Sequence, residues 1–138
     1  MAVILVSACL LGCPCRYKGD GKLNEKVLAL AENNTLVPVC PEQLGGLKTP
    51  RAPAEEKDGR IITKDGLDVT SAFDLGAQTA LKIAKIAKAD YAILKARSPS
   101  CGSGKIYDGS FCGRLIDGDG RTAALLKQSG FRVISEED

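Results

Sequence analysis

The sequence contains no histidine, and only 4% of its 138 residues are aromatic. The lack of histidine excludes the mixed cysteine–histidine sites that often bind zinc. Because aromatic side chains are scarce while 44% of the residues are hydrophobic, the core has to be built from Val, Ile, Leu and Ala. Aliphatic side chains of this kind suit helices that pack closely on a sheet.

The chain also lacks an excess of either charge. Its 19 basic and 17 acidic residues give a formal net charge of +2, and both signs are spread along the sequence without a basic block. Proteins that bind nucleic acid usually carry a concentrated basic face, so no nucleic-acid partner is expected. The balance of charges favours a small molecule as the binding partner.

No segment reaches the roughly 18 consecutive apolar residues of a membrane span, so no membrane partner is expected. The apolar start ends at Ser7-Ala8-Cys9, which loosely resembles a lipoprotein cleavage site but lacks the positively charged start of a signal sequence. Six cysteines are too few for a disulfide scaffold at this length. We therefore expect a cytoplasmic protein with a single domain over residues 1–138, whose thiols serve a metal or catalysis.

Short apolar runs bounded by turn residues predict four buried strands. Helical patterns lie between these strands, which indicates a parallel sheet because each parallel crossover needs a helix-length connection. The predicted fold class is α/β, with a mostly parallel sheet and helices packed on its faces in a Rossmann-like three-layer arrangement. The predicted strands cover residues 2–7, 35–39, 91–94 and 131–134.

Three helices are predicted between the strands. Asn24 is placed to cap a helix over residues 25–32. Ser71 together with Asp74 resembles a capping box at the start of a longer helix. The third helix covers residues 121–128.

Residues 45–68 depart from the alternation of strands and helices. The segment begins GGLKTPRAPAEEKDGRIITKDG, which is rich in Gly, Pro and charge, and a small hairpin is predicted around residues 60–64. Long segments of this kind inside a domain are usually functional or disordered, so this one is a candidate lid.

Three cysteines follow three of the predicted strands. Cys9 follows the first strand, Cys40 the second, and Cys101 the third after a short loop. Ligands of open α/β sheets bind beyond the carboxyl ends of the strands, so these thiols are expected to converge on one point. Each alone could be a buried apolar filler, since cysteine is among the most buried residue types, but none of the three lies within an apolar run.

Thiolates from three separate loops favour an iron–sulfur cluster, because a cubane is large enough to be held from several sides. Closed zinc sites use four ligands with C-x-x-C spacing, whereas Cys13-Pro14-Cys15 is C-x-C without a second pair. Three protein ligands would leave one iron open as a Lewis acid for a substrate sulfur or oxygen. Cys15 is a candidate fourth ligand, a thiol beside the cluster or a resolving partner, and Cys13 and Cys112 are expected to be incidental.

Polar side chains flank the same cysteines. Glu42 comes two residues after Cys40, where a carboxylate shielded from water could act as a general base, and a surface glutamate at a helix start is the alternative. Ser98 and Ser100 precede Cys101, and they either donate hydrogen bonds to a cluster sulfide or substrate or simply close the turn. Further polar candidates, each expected to be a solvated surface charge, are Arg51, Glu55, Lys95 and Asp108.

Five segments together resemble one known family. They are SACLLGCPCRYKG (7–19), PVCPEQLGGLKTPRAPAE (38–55), GLDVTSAF (66–73), AILKARSPSCGSGKIYDGSF (92–111) and the closing GFRVISEE. These segments, which cover nearly the whole chain, are similar to the thiouracil desulfidase family. The resemblance implies a compact α/β protein that carries an oxygen-sensitive [4Fe-4S] cluster on three cysteines. It also implies removal of sulfur from thiolated uracil, which gives uracil and hydrosulfide.

The resemblance also extends to individual positions. The chain departs from the family pattern at Lys18, where members commonly have Asp, and at Cys13 and Cys112, which the motif does not require. The Lys18 change is expected to affect contacts near Cys15 more than the cluster itself. Positions implied by the resemblance are the cluster ligands Cys9, Cys40 and Cys101, the CPE glutamate Glu42, the SPSC serines Ser98 and Ser100, and the cysteine before Arg-Tyr, Cys15.

The expected function is that of a [4Fe-4S]-dependent desulfidase acting on a thiolated pyrimidine such as thiouracil, without net redox change. One alternative keeps the cluster but changes the reaction to sulfur transfer, or the substrate to another thioamide or thionucleoside. An alternative from another class is a non-catalytic, zinc-stabilised binding module. The expected partner is a small thiolated base or nucleoside.

Overall fold

A computed structural model describes all residues from 1 to 138. No helix is both long and apolar enough to cross a membrane. The strands are β1 (Val3–Ser7), β2 (Thr35–Val39), β3 (Ala54–Lys57), β4 (Arg60–Thr63), β5 (Tyr91–Leu94), β6 (Lys105–Tyr107), β7 (Leu115–Asp117) and β8 (Val133–Ser135). The α-helices are α1 (Glu25–Ala29), α2 (Pro41–Leu44), α3 (Thr70–Ala87) and α4 (Arg121–Gln128).

The central sheet has four parallel strands in the order β2-β1-β5-β8. All four predicted strands are present, which confirms the predicted α/β class. The last strand begins two residues later than predicted, because the N–H of Phe131 bonds the Leu126 carbonyl at the end of α4. Pairing with β5 therefore begins only at Val133, opposite Ala92.

Alternate residues of β1 face opposite sides of the sheet and give the molecule three layers. Leu5 packs in a cluster with Ala84 of α3 and Leu126 of α4. Ile4 and Val6 pack on the other side, where α1 contributes a buried valine. Side chains of a strand alternate between its two faces, so a short apolar run buried on both faces supplies both cores.

Two of the three predicted helix starts are confirmed. The side chain of Asn24 accepts a hydrogen bond of 3.1 Å from the N–H of Val27, and α1 continues as a 3₁₀ turn over Leu30–Glu32. The third predicted helix has the bounds of α4.

The predicted capping box at Ser71 is wrong. Helix α3 begins at Thr70, and its N–H bonds the carboxylate of Asp68 at 2.9 Å. Asp74, the other half of the predicted box, pairs instead with Arg121 at 3.3 Å. An acid two residues ahead of the helix thus occupies the capping role, and a tertiary ion pair draws Asp74 away.

Residues 45–68 contain a packed hairpin that begins earlier than predicted. β3 and β4 are antiparallel and joined at Asp58-Gly59, where both residues have positive φ as a two-residue hairpin turn requires. The first strand reads AEEK, which has no β-branched or aromatic residue, so its sequence carries no strand signal.

A second hairpin, β6 with β7, contributes Tyr107 to the lining of the cavity described below and is absent from the sequence-based prediction. Each of its strands has three residues, and all three residues of β7 are exposed. Strands this short and this exposed give no periodic signal, so only the tertiary structure reveals them.

Helices α2 and α3 approach each other through glycine. A Cβ atom on Gly76 would lie 1.9 Å from the Pro41 carbonyl oxygen, and one on Gly45 would lie 1.9 Å from the Ala72 carbonyl oxygen. No side chain fits at either position without separating the helices. Since α2 starts directly after Cys40, this contact fixes where that thiol lies.

Gly76→Ala tests the contact between α2 and α3, because the contact decides whether the substitution raises or lowers the free energy of unfolding. Ala is favoured over Gly in an exposed helix by about 1 kcal/mol, so without the contact the substitution would stabilise the protein. We expect it to lower the free energy of unfolding by about 1–3 kcal/mol or more, as overpacking does. Urea unfolding measures the change, and Gln78→Ala on the exposed face of α3 is the control. A more stable Gly76→Ala protein would contradict this account.

Candidate active site

The three cysteines that follow strands line one cavity of about 420 Å³ at the carboxyl edge of the sheet. Cys9 lies in the 3₁₀ turn Ala8–Leu11 after β1, Cys40 is the residue before α2, and Cys101 lies in the turn after β5. Cys9 and Cys101 are buried, and Cys40 is partly buried. The structure thus brings the three thiols together from three separate loops.

Cys15 lines the same cavity and is also buried. It therefore shares one wall of the site with the predicted ligands Cys9 and Cys40. The Cys40 thiol in addition donates to the Cys15 carbonyl oxygen, at 3.7 Å. Cys13 and Cys112 are exposed and do not line the cavity.

Three thiols of the cavity, those of Cys15, Cys40 and Cys101, have a raised pKa. Burial raises the pKa of Cys101 to about 12, although a hydrogen bond with Ser7 lowers it. For Cys15 the interaction with the Cys40 thiol lowers the pKa, but the interaction with the Cys9 thiol and burial raise it, to about 11 overall. The interaction with the Cys15 thiol and burial raise the pKa of Cys40. Metal ligation requires thiolates, so a bound metal group has to displace these protons.

Glu42 lies in the first turn of α2 and forms an ion pair with Arg51, Oε1 to Nε, at 3.0 Å. Burial raises the pKa of Glu42, and the Arg51 charge and hydrogen bond oppose that shift. Arg51 also donates to the Cys15 carbonyl oxygen at 2.9 Å and to the Thr49 hydroxyl at 2.9 Å. One guanidinium therefore connects the carboxylate with the loop that carries Cys15.

The two predicted serines occupy different environments. Ser98 lines the cavity, and its hydroxyl oxygen accepts hydrogen bonds from the N–H groups of Ser100 and Cys101 at 3.1 and 3.0 Å. This leaves the Ser98 proton available to another acceptor. Ser100 is 1% exposed, does not line the cavity, and bonds the Thr122 hydroxyl at 3.0 Å.

The expectation of solvated surface charge is wrong for three of the further polar candidates. The side chain of Arg51 is only 8% exposed, and that of Lys95 is 20% exposed and pairs with Glu136 at 3.0 Å. Glu55 is partly buried and accepts two backbone N–H groups. These three line the cavity, whereas Asp108 does not and bonds Ser110 locally.

Sequence reasoning missed Ser7 and the aromatic residues of the cavity. Ser7 is 2% exposed, and its oxygen accepts the N–H of Lys95 at 2.8 Å, which joins the ends of β1 and β5. Its position directly after an apolar run and two residues before Cys9 is the available signal. The aromatic lining consists of Tyr17, Tyr107 and Phe111. Lys18, where the chain departs from the family pattern, lies outside the lining.

The thiols fit a cluster better than a single ion. No three Cys, Asp or Glu side chains approach one another closely enough to hold one metal ion. A closed zinc site needs four such ligands around one ion, so the geometry does not match the zinc-stabilised alternative. Iron–sulfur clusters are held by Cys thiolates, and Cys9, Cys40 and Cys101, which share one cavity, are the residues that would hold one.

The fold and the cavity define the class of protein. Residues 4–138 match the model of the family described as 2-thiouracil desulfurase, and the chain belongs to that family. The uncharacterized protein YbbK of Bacillus subtilis (strain 168) is 49% identical, over 99% of this chain and 97% of that protein. The solved structure of the [4Fe-4S]-dependent thiouracil desulfidase TudS is 46% identical, with a TM-score of 0.93 over 99% of this chain and 92% of that one. These findings confirm the predicted family.

Arg51→Met tests how strongly the ion pair holds the site. The substitution keeps most of the side-chain volume but leaves the Glu42 carboxylate partly buried and unpaired. We expect a loss of roughly 2–4 kcal/mol in the free energy of unfolding, in or just below the range for fully buried pairs. Adding Glu42→Gln should recover part of that loss, which urea unfolding of the double-mutant cycle measures.

The exposed pair between Arg60 and Asp68 provides the matched control. Its side chains are 57% and 42% exposed, so Arg60→Met should cost less than about 1 kcal/mol. Equal losses for Arg51→Met and Arg60→Met would show that the pair at the cavity contributes no more than a surface contact.

Proposed function

We propose that the protein is a [4Fe-4S]-dependent desulfidase that removes sulfur from a thiolated pyrimidine such as thiouracil, giving the oxo base and hydrosulfide. The observation that carries the proposal is the convergence of Cys9, Cys40, Cys101 and Glu42 on one cavity. Membership of the 2-thiouracil desulfurase family and the likeness to TudS support it.

Cys9, Cys40 and Cys101 are the proposed ligands, because each comes from a different loop at the carboxyl edge of the sheet. When bound on three cysteines, the cluster supplies an iron without a protein ligand, which acts as a Lewis acid toward the thiocarbonyl sulfur. We assign Cys15 a positioning role beside the cluster. Its buried thiol lines the same cavity as the three ligands, where it can donate to ligand sulfur.

Glu42 is the proposed general base. Its carboxylate accepts a proton from water, and the water oxygen attacks the ring carbon that carries sulfur. The carbon–sulfur bond then breaks, and sulfur leaves as hydrosulfide, so water and the thiolated base give the oxo base without any electron transfer. Arg51 fixes the direction of the carboxylate through the bond of 3.0 Å.

Ser98 is the serine proposed to act on substrate, because it lines the cavity and its hydroxyl accepts two N–H groups while its own proton stays available for donation. It can donate that proton to the substrate ring or to the departing sulfur. Ser100 is proposed to hold the turn in place through its bond with Thr122.

Reconstitution under anaerobic conditions tests the cofactor and the activity together. The protein should turn brown, contain about four irons and four sulfides as a single cubane requires, and release sulfide from 2-thiouracil or 4-thiouracil. Cys9→Ser, Cys40→Ser and Cys101→Ser should each lose most of the iron, while Cys13→Ser and Cys112→Ser should keep it. An intact cluster in any of the first three variants would show that the ligand set is wrong.

The products separate the proposed reaction from the alternatives. Hydrolysis releases free sulfide with the oxo base in equal amounts, whereas sulfur transfer requires an acceptor and leaves sulfur on it. A loaded protein that is inert toward every thiolated base would exclude the activity and leave the cluster intact. Stoichiometric zinc without iron in protein prepared without oxygen would favour a binding module instead.

Substitutions of the polar residues test the assigned roles. Glu42→Gln should lower kcat/KM by roughly 100-fold to 10,000-fold, as loss of a general base does, with the iron content unchanged. Ser98→Ala should lower kcat more than Ser100→Ala, whose main effect should be a loss of stability because a buried hydrogen bond is broken. Steady-state kinetics, iron content and urea unfolding of the three variants measure these differences. Equal activities of Ser98→Ala and the wild type would remove Ser98 from the reaction.

A further inference from the structure

Aromatic side chains are concentrated at the cavity. The chain contains only three tyrosines and three phenylalanines, and half of these six residues line this cavity. Phe73 is buried in the core, while Tyr91 lies against Arg132 and Phe131 packs against the core. Although aromatic residues are rare in this chain, three of them, Tyr17, Tyr107 and Phe111, line the candidate site.

Phe111 has an unusual backbone conformation. Four residues other than glycine have positive φ, and Asp58 and Lys88 are explained by a hairpin turn and the end of α3. Phe111, with a φ of 60°, lies in the loop between β6 and β7, and the left-handed region is unfavourable for a bulky side chain. Conformations of this kind persist where the surroundings hold them, and they are concentrated at functional sites.

A partly buried carboxylate holds Phe111 in place. One oxygen of Glu55 accepts the N–H of Phe111 at 3.1 Å and the N–H of Gly109 at 3.0 Å. The loop is also pressed against β3, because a Cβ atom on Gly109 would lie 2.7 Å from the Glu56 carbonyl oxygen. The aromatic ring is thus carried on a loop that is anchored from outside the loop itself.

Tyr17 contributes a second aromatic side chain from the loop that follows Cys15. Its carbonyl oxygen accepts the N–H of Arg51 at 2.9 Å, so its backbone is tied to the residue that pairs with Glu42. The charged groups of Arg16 and Lys18 lie 6.0 and 5.8 Å from the centre of its ring. The tyrosine and the general base are therefore held by one connected set of contacts.

We propose that Phe111, anchored by Glu55, is a substrate-binding residue whose ring stacks on the flat pyrimidine ring of the substrate, with Tyr17 as a second aromatic contact. The inference rests on the proposed function and names the feature of the substrate that is recognised, its planar ring. Stacking on an aromatic side chain suits every pyrimidine, because each has a π-face. It leaves the edge of the ring to the polar groups Glu42 and Ser98.

The test compares side chains at position 111 that differ in having an aromatic ring but share the same backbone strain at positive φ. Phe, Leu and Met all meet the same penalty at positive φ, so Phe111→Leu and Phe111→Met remove the π-face while still filling the space. Both should weaken binding of 2-thiouracil roughly tenfold or more, since stacking on a base is worth about 1–3 kcal/mol and each 1.4 kcal/mol is tenfold. Phe111→Tyr should bind as the wild type does. Phe131→Leu, which removes an aromatic ring away from the cavity, is the control.

Binding is measured by calorimetry with the reconstituted protein carrying Glu42→Gln, which slows hydrolysis of the substrate, and KM and kcat are measured in parallel with Glu42 present. The expected result is a higher Kd and KM for Phe111→Leu and Phe111→Met, with kcat changed less than threefold. Wild-type affinity in both variants, or a loss of kcat at constant Kd, would overturn the inference. If the wild type binds 2-thiouracil but releases no sulfide, the proposed function fails while the calorimetry still decides the role of Phe111. A wild type that does not bind the base would reject both.

Discussion

The parallel hydrogen bonding of β1 to β2 on one side and to β5 on the other decides where the functional groups meet. Ser7 lies opposite Val39 at the ends of β1 and β2, so the two chains leave the sheet at the same level. Cys9 and Cys40 follow within two residues of that point. A parallel sheet is the one arrangement in which residues distant in sequence leave successive strands on the same edge, and ligand sites of open α/β folds lie there for that reason.

The rest of the site depends on contacts that hold irregular segments against this edge. Gly76 lets α2 approach α3 closely and so sets the position of Glu42. Arg51 then connects Glu42 with the loop of Cys15 through hydrogen bonds of 3.0 and 2.9 Å. Glu55 makes the corresponding connection to the loop of Phe111. Partly buried charged side chains thus hold irregular loops against the sheet, and an unpaired carboxylate in such a place is costly enough to keep the contact formed.

Much of the fold was predictable because its signals are local. The apolar runs of the central strands, the Asn24 cap and the bounds of α4 all follow from residues that are adjacent in sequence. The predictions that failed involve distant partners. Asp74 left the predicted capping box to pair with Arg121, and the strand Ala54–Lys57 exists only because β4 pairs with it. The same limit applies to the candidate site. Ser7 was missed and Arg51 was expected to be a surface charge, because both gain their roles from contacts across the fold.

The sequence by itself determined the fold class, the family and the thiols that follow three strands, because the order of apolar runs and short motifs is read directly from the chain. The tertiary structure decided which polar groups share the cavity. It placed Ser98 on the cavity wall and Ser100 against Thr122, although the two serines are almost adjacent in the chain. The physical reason is that a turn directs neighbouring side chains to opposite sides, and only the packing around the turn defines which side is the cavity.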